Sequence, residues 1–299
     1  MNRYFDLIYY KTIKKNTILL RRLGRYIDEK IFISYIILIF IISIIIGLYF
    51  HLSLKGIAIL AFIYTGAALS LPTILYENKI ETLENNIPNA LYVMILALES
   101  GRSINEAIEE VVKSNIKEVS TVFRRILYLM EKQKLSFEDA VTVVSTLYGS
   151  KVLKMLAKIL IENRKYGGNL AEPLKILAKT LEDLKLYKRQ LLSVTATGLA
   201  LGFIILCGIV PTIAAVLGAY LIVTSKMVGG MGNIPPVTPK DISRGLEIIQ
   251  MGTTIIGMLF AIPIYGLKIE RMFLISSITM TSGILAYHVI LTFAPRLFS

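Results

Sequence analysis

Gly101-Arg-Ser-Ile-Asn-Glu-Ala-Ile108, Lys134-Leu-Ser-Phe-Glu-Asp-Ala-Val141 and Gly167-Gly-Asn-Leu-Ala-Glu-Pro-Leu174 are spaced 33 residues apart and align position for position. In register, Ser103, Ser136 and Asn169 are each followed by a large apolar residue, Ile104, Phe137 or Leu170. Three positions after the Ser or Asn comes an acid, Glu106, Asp139 or Glu172. Each copy reads as a helix start. The Ser or Asn oxygen accepts an otherwise unpaired backbone N–H, and the acid bonds back and suits the positive helix end. Gly101 and Gly167 stand where the preceding helix needs a residue tolerant of the left-handed conformation.

Working outward, apolar residues follow each cap at helical spacing: Ile104, Ile108, Val111; Phe137, Val141, Val144; Leu170, Leu174, Leu177, Leu181. The pieces between carry the same period, with Ile87, Leu91, Met94, Leu98, then Val119, Val122, Ile126, Met130, then Val152, Leu156, Ile159. This gives about six helices with very short turns, hence antiparallel neighbours. A 33-residue period also suits a tetratricopeptide or ankyrin array. Neither a Trp-Leu-Gly-Tyr run nor Thr-Pro-Leu-His is present, so a closed six-helix antiparallel bundle over residues 77–190 is the expectation.

The remainder is far more apolar. The 299-residue chain is 55% hydrophobic with a mean hydropathy of +0.64, beyond an ordinary water-soluble domain. Ile31–Phe50 and Gly56–Leu75 are uncharged and long enough to cross a bilayer, forming a hairpin over residues 31–76. Leu191–Val223 is also uncharged; as a straight helix it would measure about 50 Å against a hydrocarbon core of about 30 Å. One crossing kinked at Pro211 is favoured over a hairpin turned there. Residues 224–244, rich in Gly and Pro, read as an external loop. Leu246–Leu267 and Met272–Pro295 complete the 191–299 region, giving five crossings.

The formal charge of +12 is a topology signal. Lys and Arg concentrate in residues 1–30 and 77–190, whereas the segments placed outside hold Lys55, Lys226, Lys240, Arg244 and Arg296. That is the positive-inside bias rather than a nucleic-acid footprint. It puts the N-terminus and the 77–190 domain in the cytoplasm and the C-terminus outside. The basic segment 1–30 lacks a signal-peptide cleavage pattern and reads as a cytoplasmic lead, either a helix on anionic lipid or a solvated tail.

No catalytic constellation emerges. The crossings contain no Asp, Lys or Arg, and their one Glu, Glu247, lies near an end. No Gly-Lys-Ser/Thr phosphate loop occurs, His51 and His288 lack metal-ligand partners, and the lone Cys207 forms no intrachain disulfide. No cofactor is expected. The crossings instead offer small residues: Gly198 and Gly202 at Gly-x-x-x-Gly spacing allow close helix contact within the chain or between subunits. Lys151, Lys154, Lys158 and Lys165 share one helix face, either a solvated surface or a docking strip for an acidic partner or lipid headgroups.

Pro88, Ala90-Leu91, Gly101-x-Ser103, Ile161-Glu162 and Gly167-Gly168-Asn169-Leu170, set between two crossings and further crossings, resemble the type II secretion system F domain over roughly residues 85–210. The closing Glu…Gly-Asn-Leu is the more specific part. The chain departs from the pattern at Ile161 and Leu135, where Gly is frequent, and it carries one domain copy where many members carry two. In this it is similar to tight-adherence type subunits and archaeal pilus platform subunits, which commonly work in pairs. The resemblance implies a polytopic, non-enzymatic platform in the cytoplasmic membrane. Its partners would be a cytoplasmic secretion ATPase, pilin-like subunits, and a second copy or a second F-domain chain. The alternative from residues alone is a channel or transporter with a regulatory helical domain; a membrane-tethered helical adaptor would need one anchor, not five.

The family role requires force to cross a protein–protein interface on the cytoplasmic side. Turns separated by two helices fall at the same end of an up-down bundle. The chain enters at Glu77 and leaves at Lys188, so the Gly101, Ser136 and Asn169 end is the far one. Arg102, Lys134 and Glu172 are therefore the expected ATPase-docking residues, with Lys151, Lys154 and Lys158 meeting headgroups.

Overall fold

The computed structural model describes residues 9–166, 168–228 and 239–297, and among these every regular element is helical. Of the expected 224–244 loop, residues 229–238 lie outside the described residues, while 224–228 and 239–244 are helical rather than loop. The chain divides into two compact units: Tyr76–Ser193 forms one, and the residues up to Leu75 together with those from Val194 onward form the other.

A π-helical turn, Tyr10–Lys14, leads into α1, Lys15–Arg22. Leu19 and Leu20 are buried while Lys14, Lys15, Arg21 and Arg22 are exposed. Asn16 fixes this piece in place. Its Nδ2 donates to the Leu69 carbonyl (2.9 Å) and its Oδ1 accepts from Thr73 Oγ1 (3.2 Å). The basic lead is thus an amphipathic helix whose apolar side already has a protein partner.

Next come α2, Glu29–Tyr49, and α3, Leu54–Glu99. The sequence reading separates a crossing ending near Leu75 from a first soluble helix, whereas α3 runs through both without a break. No Gly, and no Pro-driven stop, interrupts residues 76–87, so helix propagation costs less than a turn. Then follow α4, Ile104–Lys113; α5, Val119–Lys132; α6, Phe137–Tyr148; and α7, Lys151–Tyr166. The next, α8, Ala171–Ile204, likewise continues from the second unit into the apolar region.

A π-helical stretch, Ile205–Ile209, joins α8 to α9, Val210–Val228. Helix on both sides of Pro211 rules out a chain reversal there. Proline lacks an N–H and its ring crowds the carbonyl four residues back, at Cys207; widening the preceding turn relieves that clash. The last helices are α10, Pro239–Phe260; α11, Ile262–Tyr265; and α12, Ile269–Leu297.

Four helical runs among the described residues are long and apolar enough to cross a membrane: Glu29–Tyr49, Leu54–Glu99, Ala171–Leu221 and Ile269–Ile290. Five crossings are expected from the sequence. The fifth, α10, has the length but carries Asp241, Arg244, Glu247 and Gln250, which dilute its apolar character.

In the apolar unit, α9, α10 and α12 pack on one another. Leu60 and Ile63 of α3 join Met280 and Ile284 of α12 in a small core. Glycines set the closest approaches. A Cβ on Gly66 would sit 2.5 Å from the Phe273 ring, and one on Gly257 2.6 Å from Thr279. The ring of Phe260 occupies the space a Cβ on Gly202 would need, while a Cβ on Gly198 would meet nothing within 4 Å. The two glycines thus differ: Gly202 packs within the chain and Gly198 presents an open surface. Gly202→Leu should lower resistance to SDS-induced unfolding by about 1–3 kcal/mol, the usual cost of overpacking. Gly198→Leu should leave it unchanged. Equal effects of the two substitutions would contradict this packing.

The second unit closes around one core. Leu83, Ile87, Leu91 and Met94 of α3 meet Ile108 and Val111 of α4, Val122 and Phe123 of α5, Val141 and Val144 of α6, Leu156 and Leu160 of α7, and Leu174 of α8, all buried. Burying each such side chain stabilises the unit by about 1.5–3 kcal/mol. The antiparallel register of α3 and α8 is pinned by Tyr92 Oη donating to Glu182 (2.8 Å), Lys185 Nζ donating to the Asn85 carbonyl (3.2 Å), and a Lys188–Glu81 ion pair.

The turns between helices explain why the repeat is imperfect. At Gly101 (φ +80°) the chain forms a Schellman turn, with Gly101 N donating to Leu98 O (3.0 Å) and Arg102 N to Ala97 O (3.1 Å). The aligned position in the next copy is Lys134, and it too is left-handed, with φ +57°. Gly101→Ala should cost about 1 kcal/mol from backbone strain alone, because its Cβ would meet no atom within 4 Å. Lys134→Gly should gain about 0.5–1 kcal/mol by relieving the same strain. Chemical unfolding of the two variants tests both signs.

Candidate functional site

The three aligned helix starts converge on one end of the 76–193 unit, and the opposite turns are tied to the other. Tyr76 Oη donates to the Tyr148 carbonyl (2.8 Å), Ser150 Oγ donates to Glu84 Oε1 (2.6 Å), and Lys79 pairs with Glu118 at 3.5 Å. The 114–118 and 148–151 turns therefore lie beside residues 76–84, where the chain enters the unit. Continuing the α3–α8 register brings the start of α8 beside the end of α3. The turns at Gly101–Ser103, Lys134–Ser136 and Gly168–Leu170 thus share the end remote from residues 76 and 193.

Three related sequences produce three different caps at that end. Ser103 makes a full capping box: its Oγ accepts from Glu106 N (3.3 Å), and Glu106 Oε2 accepts from Ser103 N (2.7 Å). The Ser103 N–H is the main reason the Glu106 carboxyl titrates below its ordinary range, with the Ser103 hydroxyl next. This contribution to folding is present above the ordinary carboxylate pKa and is lost as pH falls through the lowered value. Ser136 Oγ accepts from Asp139 N (3.1 Å) but gives its own hydrogen to Asp139 Oδ2 (2.6 Å), since the shorter acid does not reach the cap backbone. Asn169 Oδ1 accepts from Ala171 N at 3.1 Å. Gly167 lies outside the described residues, and Gly168 takes φ +123° ahead of that cap.

Around these caps the charges are mixed and exposed. Arg102 Nη1 contacts Glu110 Oε1 at 2.6 Å, and Lys113 meets the same oxygen at 3.0 Å. These bonds, Lys113 first, hold the Glu110 carboxyl below the usual range. Arg164 pairs with Glu138 at 3.7 Å and lies over the Phe137 ring, 4.6 Å from its centroid. Lys134 and Glu172 are exposed. Arg102, Lys134 and Glu172 thus share the remote end without touching one another.

The other motif residues divide by role. Pro88 and Leu170 are buried, while Glu162 is exposed and pairs with Lys158 at 3.7 Å. Lys151, Lys154 and Lys158 project from α7 opposite Leu153, Leu156, Ala157 and Leu160, and the first two lie at the entry end. The sequence reading overlooked Ser150. It is buried, and its Oγ accepts from Leu153 N (3.1 Å) while donating to Glu84. Gly149-Ser150 ahead of an amphipathic run was the available signal.

The family model described as type II secretion system (T2SS), protein F, matches residues 90–218. Over all 299 residues, covering 100% of both chains, the sequence is 68% identical to the uncharacterized protein MJ0779 of Methanocaldococcus jannaschii. No solved structure matches. With its apolar helices flanking a compact helical unit, the chain belongs to the type II secretion system protein F family.

Proposed function

We propose that the protein is a non-enzymatic platform in the cytoplasmic membrane that couples a cytoplasmic secretion ATPase to the handling of pilin-like subunits. The observation carrying this reading is that α3 and α8 each run unbroken from the 76–193 unit into apolar, membrane-length helix. A displacement of the remote turns then has two hydrogen-bonded rods along which to reach the bilayer. The polar groups of the apolar helices favour this over a transporter. Ser43, Ser70, Thr253, Thr254 and Thr279 return their hydroxyl hydrogens to carbonyls three or four residues back in their own helices, rather than lining a path.

In this proposal the chain crosses five times, α10 included, with the N-terminus and helical unit inside and the C-terminus outside. In a Cys207→Ser background, Gly230→Cys and Ser299→Cys should react with an impermeant maleimide in intact cells. Lys154→Cys, an exposed position, should react only after permeabilisation. Labelling at 299 without 230, or the reverse, would show a miscounted crossing.

The ATPase docks at the remote end through Arg102, Lys134 and Glu172, and Lys151, Lys154 and Lys158 meet anionic headgroups along the α7 face that starts at the entry end. The Arg102–Glu110 pair is half-exposed and so weak enough to be exchanged for a partner carboxylate. Reversing Arg102 and Lys134 to Glu in the full chain should weaken ATPase capture about tenfold, and the wild-type interaction should weaken with added salt. Unchanged capture by that double variant, with loss on reversing the three lysines, would exchange the roles of the two ends. A second copy or a second F-domain chain completes the platform, and Gly198 offers an open small-residue surface for that contact.

A further inference from the structure

We propose that the cavity beside Glu247 binds the ammonium group of an amine-bearing membrane lipid. The cavity is about 50 Å³ and lies within the apolar unit, lined among others by Phe50, Leu52, Gly56, Glu247, Gln250 and Tyr287. A water needs only about 10–15 Å³ of such space, so the cavity has room for a small charged group.

Among the described residues, Glu247 is the one acid of its lining, which also holds His51, Ser243 and Gln250. Glu247 Oε1 accepts the Ser53 N–H at the start of α3. It lies against Gly56, where a Cβ would sit 3.1 Å from that oxygen. The N-terminal turn of a helix supplies roughly half an elementary charge, which leaves the carboxylate incompletely neutralised. Among the described residues no Lys, Arg or His forms an ion pair with Glu247. Gln250 donates one Nε2 hydrogen to the Thr279 carbonyl (3.1 Å), which leaves its oxygen and a second N–H for other partners. The Glu247 carboxylate favours a cation here and opposes a phosphate.

The setting identifies the source. Phe50 stacks edge-on with Tyr49 and with His288, at centroid distances of 5.2 and 5.0 Å, the kind of aromatic cluster found at headgroup depth. Next to the lining residues, Ile213, Leu217 and Ile248 are more than half exposed, an apolar surface suited to acyl chains. A cation arriving here therefore comes attached to a lipid.

The test uses the full chain in detergent, with lipid retention read by native mass spectrometry. Phosphatidylethanolamine should be retained about tenfold more strongly than its N-acetylated form, which lacks the charge, and than phosphatidylglycerol. Glu247→Gln keeps an acceptor for Ser53 N and should abolish the preference without changing the melting temperature. Should that variant misfold, the wild-type comparison of the free and acetylated amines still decides. Equal retention of these two lipids, or an undiminished preference in Glu247→Gln, overturns the proposal. Free ethanolamine competing as well as the lipid would overturn the lipid source.

Discussion

A backbone amide in hydrocarbon has no water to bond, so every segment there must satisfy its own polar groups. That constraint organises the apolar unit and explains its irregular details. The π-helical stretch before Pro211 accommodates a proline without exposing a chain reversal. Buried hydroxyls bond back into their own helices. Just ahead of α3, the Ser53 N–H is taken by a carboxylate from a distant helix, Glu247. With polar groups accounted for locally, helix contacts depend on fit, and small residues such as Gly66, Gly202 and Gly257 provide it.

In the 76–193 unit, burial of apolar side chains takes over as the main source of stability. Six helical stretches contribute to one core, and side-chain caps at Ser103, Ser136, Ser150 and Asn169 mark where four of them begin. Because Ser103, Ser136 and Asn169 all head helices running away from the remote end, that end collects helix N-termini and their acids, interleaved with Arg102 and Lys134. The result is an exposed surface of mixed charge at one end and a basic face on α7 reaching the other. The contacts proposed above fall on these two separate surfaces.

The shared helices join these two regimes. A hydrogen-bonded helix resists compression along its axis more than a loop does, and α3 and α8 have no loop at residues 76 and 193. Membership of the protein F family places the chain among membrane platform proteins.

Much of the organisation could be read from periodicity alone. The apolar spacing in residues 104–181 named the core positions, and uncharged runs of bilayer length named the helices of the apolar unit. Helix starts at Ser103, Ser136 and Asn169 were equally visible, since a cap is a local bond between residues two or three apart. Only the tertiary structure revealed what depends on distant partners. Gly198 and Gly202 look alike in sequence, but Gly202 meets Phe260 and Gly198 meets open space. Lys134 adopts a glycine-like conformation because the surrounding core holds its turn in place. Ser150 is a buried link to Glu84, 66 residues away, and Glu247 caps a helix 194 residues away. Local hydrogen bonds and side-chain period leave a signature along the chain; long-range contacts are set by how packed helices bring remote residues together.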